Sequence, residues 1–431
     1  MRNDFQDWEK MRRKPVAILG AGVSGRGVGA LLDRIEWEYE TYDEQGRVFG
    51  LTEARACSLV VFSPGFALAH PWLELARAES LPVMGEMDFG ARFLENPVVA
   101  VTGTNGKTTL TTLLTQAWNA LGKSAVAAGN VGLPLCELLA GGLDRETLVF
   151  LEVSSFQAQG MKNLSPMGVL WTNFGEDHLD HHKNEEEYFL AKANLVENAG
   201  KGCVMVGRSV AEKARELKYA LPDGAEIVDR KLGDASFLPE SHFLSSFPQL
   251  ENLSIAKAFA RSQGIGEDEF NQAVRTYQPE PHRLQKIATI GEATFWNDSK
   301  ATNAAAVVAA CRNFSGNLFW IGGGKSKGED SGRLSRLIKP FVKRAYVIGE
   351  MGDILGKTLR EQGIVATFCN SLKEAVTRAY EEVTERTTVL FSPGFASFDC
   401  FANYAERGKS FVESVFDLKK LVSGTTQGCI N

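Results

Sequence analysis

An apolar run that enters a glycine-rich turn and then a helix-forming segment constrains the fold of this chain more than any other feature. Residues 99–109 read Val-Ala-Val-Thr-Gly-Thr-Asn-Gly-Lys-Thr-Thr. The backbone N–H groups of such a turn, with the N-terminus of the helix behind them, suit phosphate oxygens. The pattern needs a buried strand beside a helix, so it predicts an α/β domain with a P-loop NTPase-type site.

The turn assigns roles to individual side chains. We expect Lys107 to reach the β- and γ-phosphates of a nucleotide and the Thr108 hydroxyl to bind Mg²⁺. Val101 occupies the position of the first glycine in the strict motif, so this is a shorter variant that starts at Gly103. A plain Gly-Lys turn at a helix start is the bland alternative. The predicted ATP contacts of the loop are Gly103, Thr104, Asn105, Gly106, Lys107, Thr108 and Thr109.

Polar side chains follow two further apolar runs that should lie beside the loop strand. Glu152 ends the run in VFLEVSSFQ, and His178 stands in TNFGEDHLDHH. A hard cation takes oxygen ligands, and a neutral imidazole can join them. We therefore predict Thr108, Glu152 and His178 as metal ligands, and we expect His181 and His182 to be surface residues.

Strand-like and helix-like segments alternate through three stretches of the chain, which predicts parallel sheets covered by helices. The predicted fold class is α/β, with a Rossmann-like N-terminal domain, a central P-loop NTPase-type domain and a Rossmann-like C-terminal domain. A Pro-rich segment, YQPEPHR (277–283), is the clearest joint. The predicted bounds are 1–14 for an extension outside the fold, then 15–95, 96–280 and 281–431 for the three domains.

Charge and cysteine usage limit the partners and the compartment. The net charge is -6, which does not favour nucleic acid as a partner. The seven cysteines are odd in number, widely spaced and lack a CxxC pair, which indicates reduced thiols. The charged N-terminus does not resemble a signal peptide, and no apolar run approaches the roughly 18 residues of a membrane span. We expect a cytoplasmic monomer without a membrane partner.

A second glycine pattern, near the N-terminus, leaves an alternative open. Gly20, Gly22 and Gly25 follow an apolar run, and Asp43 comes 18 residues after the last of them. This spacing is typical of dinucleotide binding, with the pyrophosphate on the helix N-terminus and the acid on a ribose. Taken alone it predicts an NAD-dependent oxidoreductase, but the same turn also suits the pyrophosphate of a UDP-sugar. A nucleotide-binding switch without ligase activity is a further alternative.

Six motifs in order resemble the Mur ligase family. They are GTNGKT (103–108), GNVGLP (129–134), LEVSSFQ (151–157), TNFGEDHLD (172–180), PHR (281–283) and NDSKATN (297–303). The segments SPGF (63–66) and SPGFASFDCFANYAERG (392–408) are most similar to the D-glutamate-adding branch. The resemblance implies a ligase that joins D-glutamate to UDP-N-acetylmuramoyl-L-alanine in peptidoglycan precursor synthesis. A folylpolyglutamate-type ligase is the alternative among similar enzymes.

The resemblance also implies the chemistry. ATP phosphorylates the substrate carboxylate, and the amine of the amino acid then displaces phosphate from the acyl phosphate. Two Mg²⁺ ions are expected. Lys192 matches the family lysine that is carbamylated and so helps to hold the second ion. Lys107, His178 and Lys192 are the expected catalytic residues.

Binding residues follow from the same resemblance. Further ATP contacts are expected at Asn252, Arg283 and Asp298. The UDP-linked substrate is expected at Gly22, Val23, Ser24, Asp43, Ser63, Gly65, Asn130 and Ser154. The D-glutamate pocket is expected at Thr302, Lys327, Ser397, Phe398 and Tyr404, and Lys325 competes with Lys327 for the cationic role.

Overall fold

The structure is a computed structural model that describes residues 4–177, 181–229, 234–239, 242–245, 248–326 and 330–427. The chain separates into two compact units. The first contains residues 1–174, 181–233 and 252–277, and the second contains residues 175–180, 234–251 and 278–431. The chain enters the second unit for the last time at residue 278, within the predicted Pro-rich joint. The division into three domains stays a prediction, because one unit holds the first two sheets.

The first sheet is parallel throughout and has the strand order β2-β1-β3-β4. Its strands are β1 (Val16–Leu19), β2 (Tyr39–Tyr42), β3 (Leu59–Phe62) and β4 (Val83–Gly85). Every residue of β1 is buried, as expected for a central strand covered on both faces. The helices of this part are α2 (Val23–Arg34), α3 (Leu51–Ala56), α4 (Pro71–Ala78) and α5 (Glu86–Ala91).

The second sheet is also parallel and has the order β10-β9-β8-β5-β7-β6. Its strands are β5 (Val98–Thr102), β6 (Ala125–Gly129), β7 (Leu148–Glu152), β8 (Gly168–Trp171), β9 (Cys203–Gly207) and β10 (Glu226–Val228). β5 pairs with both β7 and β8, so the carboxyl ends of these three strands meet at one edge, where open α/β sheets bind ligands.

Helices cover this second sheet and bury its apolar residues. They are α6 (Lys107–Ala120), α7 (Leu135–Gly141), α8 (Ser155–Ala158), α9 (Glu185–Asn198), α10 (Arg208–Glu216), α11 (Gln249–Ser262) and α12 (Glu267–Val274). The predicted helices near 107–121, 185–199, 252–263 and 267–276 correspond to α6, α9, α11 and α12. None of the described helices combines the length and apolarity that a bilayer crossing requires.

The third sheet, in the second unit, is mixed and has the order β11-β12-β16-β13-β14-β15. Its strands are β11 (Gln285–Ile290), β12 (Ala293–Asn297), β13 (Asn317–Gly323), β14 (Arg344–Ile348), β15 (Val365–Phe368) and β16 (Thr387–Gly394). The antiparallel pair β11 and β12 was not predicted, because its alternating burial leaves no continuous apolar run. The other helices are α13 (Ala304–Cys311), α14 (Ser331–Ile338), α15 (Gly352–Glu361), α16 (Leu372–Glu381) and α17 (Tyr404–Gln427).

The N-terminal segment differs from the extension predicted for residues 1–14. A helix, α1 (Asp4–Met11), forms there, and the Trp8 ring lies 5.2 Å from the Trp37 ring and 5.7 Å from the Phe93 ring. The Arg92 guanidinium lies 4.3 Å from the centre of the Trp8 ring. Burying the indole against other aromatic rings outweighs the charged character of the segment.

Candidate functional site

The predicted phosphate-binding loop, residues 103–109, is called the phosphate loop below. It lies at the carboxyl end of β5, as its sequence predicts. Gly103 has a φ of 143°, and a Cβ on it would lie 1.9 Å from Thr172 Oγ1. Gly106 has a φ of 82° and caps the N-terminus of α6. Both conformations favour glycine, which explains why the variant motif starts at Gly103 and not at Val101. Val101 is a fully buried residue of β5, paired with Glu152 of β7.

Two lysines converge on the carbonyl groups of this loop. Lys107 Nζ donates to Gly103 O and Thr104 O, both at 2.9 Å. Lys192 Nζ donates to Gly103 O at 3.0 Å and lies 4.7 Å from the centre of the Tyr188 ring. Its side chain is 1% exposed, so α9 brings a second cation to the loop from inside the core.

Asn173, which follows β8, is hydrogen-bonded to the same loop. Asn105 N–H donates to Asn173 Oδ1 at 2.9 Å, and Asn173 Nδ2 donates to Asn105 O at 3.1 Å. Thr104 N–H donates to Asn173 O at 3.0 Å. Asn173 was not among the predicted site residues, although it lies inside the TNFGEDHLD motif. Asn252 lies on the other side, because a Cβ on Gly106 would be 2.4 Å from Asn252 Oδ1.

Glu152 ends β7 with its carboxylate buried at 1% exposure. One oxygen accepts from Asn130 Nδ2 at 2.9 Å, while Oε2 has no hydrogen-bond partner among the described residues. A buried carboxylate oxygen without a partner is costly, and a bound cation would satisfy it. Thr108, also buried, adds a hydroxyl at the start of α6. Both ligands are hard oxygens that fit Mg²⁺.

His178, the third predicted metal ligand, lies outside the described residues. Within the described part of the chain, no group of three or more His, Cys, Asp or Glu side chains could hold a metal ion. His182 corrects the prediction of a surface residue, because it is 1% exposed and its Nε2 lies 3.0 Å from Ser155 Oγ. The ring stacks parallel to that of Phe156, and this packing was not visible in the sequence.

The N-terminal glycine pattern forms the expected turn between β1 and α2. Gly22 caps α2 with no side-chain hydrogen bond, and the Val23 side chain is 56% exposed. Asp43 Oδ2 accepts from Ala21 N–H at 3.1 Å, and this bond lowers the pKa of the Asp43 carboxyl. Ser63 Oγ is buried and has no hydrogen-bond partner within the described ranges, and a Cβ on Gly20 would lie 2.8 Å from it.

The remaining predicted substrate contacts in the first unit are placed as follows. Ser24 is half-buried in the first turn of α2, and Gly65 is exposed in the turn after β3. Asn130 follows β6, and its amide is bonded to Glu152. Ser154 caps α8 in a reciprocal pair with Gln157, whose N–H donates to Ser154 Oγ at 3.3 Å.

In the second unit, Asp298 lies at the end of β12. Its carboxylate accepts from Ser392 Oγ at 2.8 Å and from Leu284 N–H at 3.1 Å. Burial raises the pKa of Asp298 to about 7, against the opposing effect of these hydrogen bonds and of Arg283. The first three residues of the second SPGF segment, 392–394, are the end of β16, whereas the first SPGF segment follows β3 as a turn.

Ser397, Phe398 and Tyr404, three of the predicted amino-acid contacts, follow β16 in the chain. Ser397 is 3% exposed, Phe398 is 65% exposed, and Lys300 Nζ lies 3.9 Å from the centre of the Tyr404 ring. Thr302 is half-buried just before α13. Lys327 lies outside the described residues, while the backbone of the exposed Lys325 is hydrogen-bonded in both directions to Ala396.

Arg407 is a residue of this region that sequence analysis missed. It is 1% exposed, and its guanidinium donates to Ser299 O at 3.0 Å, Phe395 O at 3.0 Å and Ala396 O at 3.2 Å. Burial lowers the pKa of Arg407 to about 10. A lone arginine early in an amphipathic helix gives no sequence signal for such a role.

Comparisons with known proteins identify the fold and the relatives. Residues 101–227 match the Mur ligase middle domain, and residues 282–395 match the Mur ligase glutamate ligase domain. The UDP-N-acetylmuramoylalanine--D-glutamate ligase of Thermoanaerobacter sp. (strain X514) is 30% identical over 95% of this chain and 100% of that protein. The Aquifex aeolicus protein of the same name is 32% identical over 92% of this chain and 97% of its own.

Solved structures share the fold at lower identity. UDP-N-acetylmuramate-alanine ligase from Thermotoga maritima has a TM-score of 0.57 at 16% identity and covers 94% of this chain and 100% of its own. Folylpolyglutamate synthase of Mycobacterium tuberculosis, complexed with ADP, has a TM-score of 0.57 at 13% identity over 75% of this chain and 92% of its own. The α/β fold predicted from the sequence is thereby confirmed. Because a relative of 30% identity is matched along its whole length and two family models cover the middle and C-terminal parts, this chain belongs to the Mur ligase family.

Proposed function

We propose that the protein is an ATP-dependent ligase that joins D-glutamate to UDP-N-acetylmuramoyl-L-alanine with release of ADP and phosphate. The observation that carries the phosphoryl-transfer part is the glycine loop at the end of β5. Beside it, at the end of the adjacent strand, Glu152 has a buried oxygen with no hydrogen-bond partner in the part of the chain that the structure describes. The choice of substrates rests on the full-length similarity to relatives that carry that name.

The proposed reaction has two steps. A carboxylate oxygen of the UDP-linked substrate attacks the γ-phosphorus of ATP, which forms an acyl phosphate and releases ADP. The neutral amine of D-glutamate then attacks the acyl carbon, the C–O bond to phosphate breaks, and the amine loses a proton. The chain's task is to hold two anions together, since phosphoryl transfer depends mainly on positioning and charge stabilisation.

The loop residues 103–109 serve the triphosphate in this proposal. Lys107 is already held over the loop by two carbonyl oxygens, so its ammonium is kept within reach of an anion bound there. The first bond within α6 runs from Leu110 N–H to Gly106 O. The N–H groups that precede Leu110 in the first turn therefore have no acceptor within the helix and can bind phosphate oxygens. Asn252 fits beside Gly106, and Arg283 and Asp298 are further proposed ATP contacts.

Thr108, Glu152 and His178, with Lys192 as a carbamate, are the residues that would hold two Mg²⁺ ions. When bound, these ions screen the charge between the substrate carboxylate and the γ-phosphate. A carbamate on Lys192 would convert an ammonium next to Gly103 O into an oxygen ligand. The modification is part of the proposal.

The other substrates are assigned by position in each unit. For the UDP-linked substrate we propose Gly22, Val23, Ser24, Asp43, Ser63, Gly65, Asn130 and Ser154. For D-glutamate we propose Thr302, Lys327, Ser397, Phe398 and Tyr404. Lys325 remains the alternative cation, because its backbone is bonded to Ala396, next to Ser397.

An NAD-dependent oxidoreductase has weaker support. The glycine turn with Asp43 suits the pyrophosphate and sugar of a UDP-linked substrate equally well, and the relatives matched along their full length are ligases. We also propose that the enzyme works in the cytoplasm, because the described cysteines are free thiols and the substrates are nucleotide-linked small molecules. We further propose that it is a monomer. Sedimentation velocity would test the monomer.

Phosphate release measured with UDP-N-acetylmuramoyl-L-alanine, ATP and a panel of D- and L-amino acids tests the function. We expect phosphate release that requires both the UDP-linked substrate and D-glutamate. Release with a folate and L-glutamate would favour the folylpolyglutamate-type alternative. Release that is independent of any amino acid would favour a nucleotide switch, and an absorbance change at 340 nm with NADH would favour the oxidoreductase.

Two variants test the role of Lys107 in this assay. Lys107→Ala is expected to lower kcat/KM on the order of a hundredfold to a thousandfold, since it removes a charge aimed at the transferred phosphoryl group. Lys123→Ala, an exposed lysine just beyond the far end of α6, is the matched control and should remain near wild type. Equal effects of the two substitutions would contradict the role of the loop.

A further inference from the structure

The end of β8 presents an asparagine side chain that is fully engaged with one residue of the phosphate loop. Asn173 Oδ1 accepts the N–H of Asn105, and Asn173 Nδ2 donates to the carbonyl of the same residue. An amide side chain has both a donor and an acceptor, so it can satisfy both polar groups of a peptide unit at once. Neither Asp nor Leu could form this reciprocal pair.

Three further hydrogen bonds reinforce the attachment. The Asn173 carbonyl accepts from Thr104 N–H at 3.0 Å, and Thr172 Oγ1 donates to Asn105 O at 2.6 Å. Thr172 N–H also donates to the carbonyl of Thr102, the last residue of β5, at 2.9 Å. The segment from the end of β5 to α6 is therefore anchored at Thr102, Thr104 and Asn105 to the two residues that follow β8.

The absence of side chains at the glycines makes this anchoring possible. A Cβ on Gly103 would lie 1.9 Å from Thr172 Oγ1 and 3.2 Å from the backbone nitrogen of Asn173. The loop backbone thus lies in direct contact with the 172–173 segment. A chain that approaches so closely can be held by short backbone-directed bonds, and little freedom remains for the peptide between Gly103 and Gly106.

The anchoring also determines which N–H groups point toward a ligand. The N–H groups of Thr104 and Asn105 are both directed at Asn173. The N–H groups that follow belong to Gly106 and the first turn of α6, where an anion is stabilised by the helix N-terminus. Phosphates held by backbone N–H groups of this loop would therefore lie on its helix side, next to Lys107.

We infer that Asn173 is a positioning residue for nucleotide binding, which holds the phosphate loop in its binding conformation through the reciprocal amide pair with Asn105. This inference rests on the proposed ATP-binding function of the loop. It assigns to Asn173 no contact with ATP or with the reacting atoms. Its effect comes from the ordering of the loop before the nucleotide arrives, which spares the ordering cost on binding.

The chain offers a closely matched control for this residue. Asn119, in the last turn of α6, forms the same reciprocal pair with a single backbone residue: Asn119 Nδ2 donates to Ala125 O and Ala125 N–H donates to Asn119 Oδ1, both at 3.0 Å. Asn119→Ala removes an equivalent pair of bonds at the end of α6 opposite the loop. The effect on MgADP affinity of losing such a pair of bonds away from the loop is thus measured separately.

Isothermal titration calorimetry with MgADP on the full chain tests the inference. We expect Asn173→Ala to weaken MgADP binding on the order of tenfold, as the loss of a pair of hydrogen bonds suggests, while Asn119→Ala stays within about twofold of wild type. In the ligase assay the KM for ATP should rise in Asn173→Ala and the KM for the amino acid should not. A general loss of packing would move both KM values.

Asn173→Asp provides the second variant if the alanine variant does not fold. It keeps the acceptor for Asn105 N–H, loses the donor and adds a negative charge near the phosphates, so its affinity should fall at least as far. Wild-type affinity in either folded variant would overturn the role of Asn173. A wild-type chain that binds no MgADP would overturn the proposed function of the loop, and the inference with it.

Discussion

At the residue scale, Lys192 shows how a core position can hold a reactive group. Its ammonium is buried between the Tyr188 ring and the Gly103 carbonyl, at the base of the phosphate loop. A buried lysine side chain is unusual unless its charge is paired or used. The proposed carbamate would account for the burial of Lys192, because it places an oxygen ligand at the end of the side chain.

Truncation of Lys192 tests that chemistry. Lys192→Ala is expected to lose ligase activity on the order of a hundredfold or more and to regain part of it with acetate or propionate. A small carboxylate can enter the space left by the side chain and supply the missing oxygen ligand. Initial rates with added acetate and with added ethylamine distinguish a carbamylated Lys192 from an unmodified ammonium. Rescue by ethylamine and not by acetate would indicate an unmodified ammonium.

Asp298 couples the stability of the second unit to pH. Its pKa in the folded protein is about 7, against 3.8 for an unperturbed carboxyl, because burial disfavours the charge. The folded state therefore holds a proton that the unfolded state releases between these two values. The free energy of unfolding should fall as pH rises from about 4 to about 7, by roughly 2 kcal/mol after allowance for partial solvent screening.

The comparison with Asp298→Asn isolates this contribution. The asparagine keeps the size and an acceptor for Leu284 N–H but does not ionise. Urea unfolding of both proteins at several pH values should show a smaller loss of stability with rising pH in the variant. Parallel pH profiles for the two proteins would argue against a raised pKa at this position.

At the element scale, α1 packs against the core of the first unit with Trp8 and Met11. Trp8 meets Trp37 and Phe93, and Arg92 lies over its ring. Trp8→Ala should lower the free energy of unfolding by about 2 kcal/mol, less than for a fully buried tryptophan because the ring is half-buried.

Lys10→Ala, an exposed position of the same helix, serves as the control for α1. It should stay within about 0.5 kcal/mol of wild type, since its side chain is exposed and alanine favours helix. Urea denaturation monitored by circular dichroism measures both variants. Equal stabilities of the two would mean that the packing of the Trp8 ring does not stabilise the first unit.

At the scale of the whole molecule, the two compact units give a chain that need not unfold in one step. The phosphate loop belongs entirely to the first unit. A ligand that binds only the folded state stabilises it by RT ln(1 + [L]/Kd), which is about 2.7 kcal/mol at a hundredfold excess over Kd. MgADP should therefore raise the melting temperature of the transition that reports the first unit.

Differential scanning calorimetry with and without MgADP measures this shift. Lys107→Ala is the control, and its transition should be insensitive to the nucleotide at the same concentration. A shift of equal size in Lys107→Ala would place nucleotide binding elsewhere than the loop.

The sequence by itself determined the elements and the loop. Continuous apolar runs predicted β1, β3, β5, β7, β8 and β16 close to their observed positions, since buried parallel strands leave a strong pattern. Short or alternating strands such as β4, β10 and the pair β11 and β12 left no such pattern. Gly103, Gly106 and Lys107 were identified because glycine conformation and a local turn are encoded by neighbouring residues.

Only the tertiary structure decided what lies against that loop. Asn173, Arg407 and the buried His182 act through partners far from them in the chain, and no local spacing predicts such contacts. The docking of Trp8 likewise depends on aromatic residues contributed by later segments. Local patterns fix backbone conformation over a few residues, whereas burial and hydrogen-bond partners depend on how distant strands are brought together.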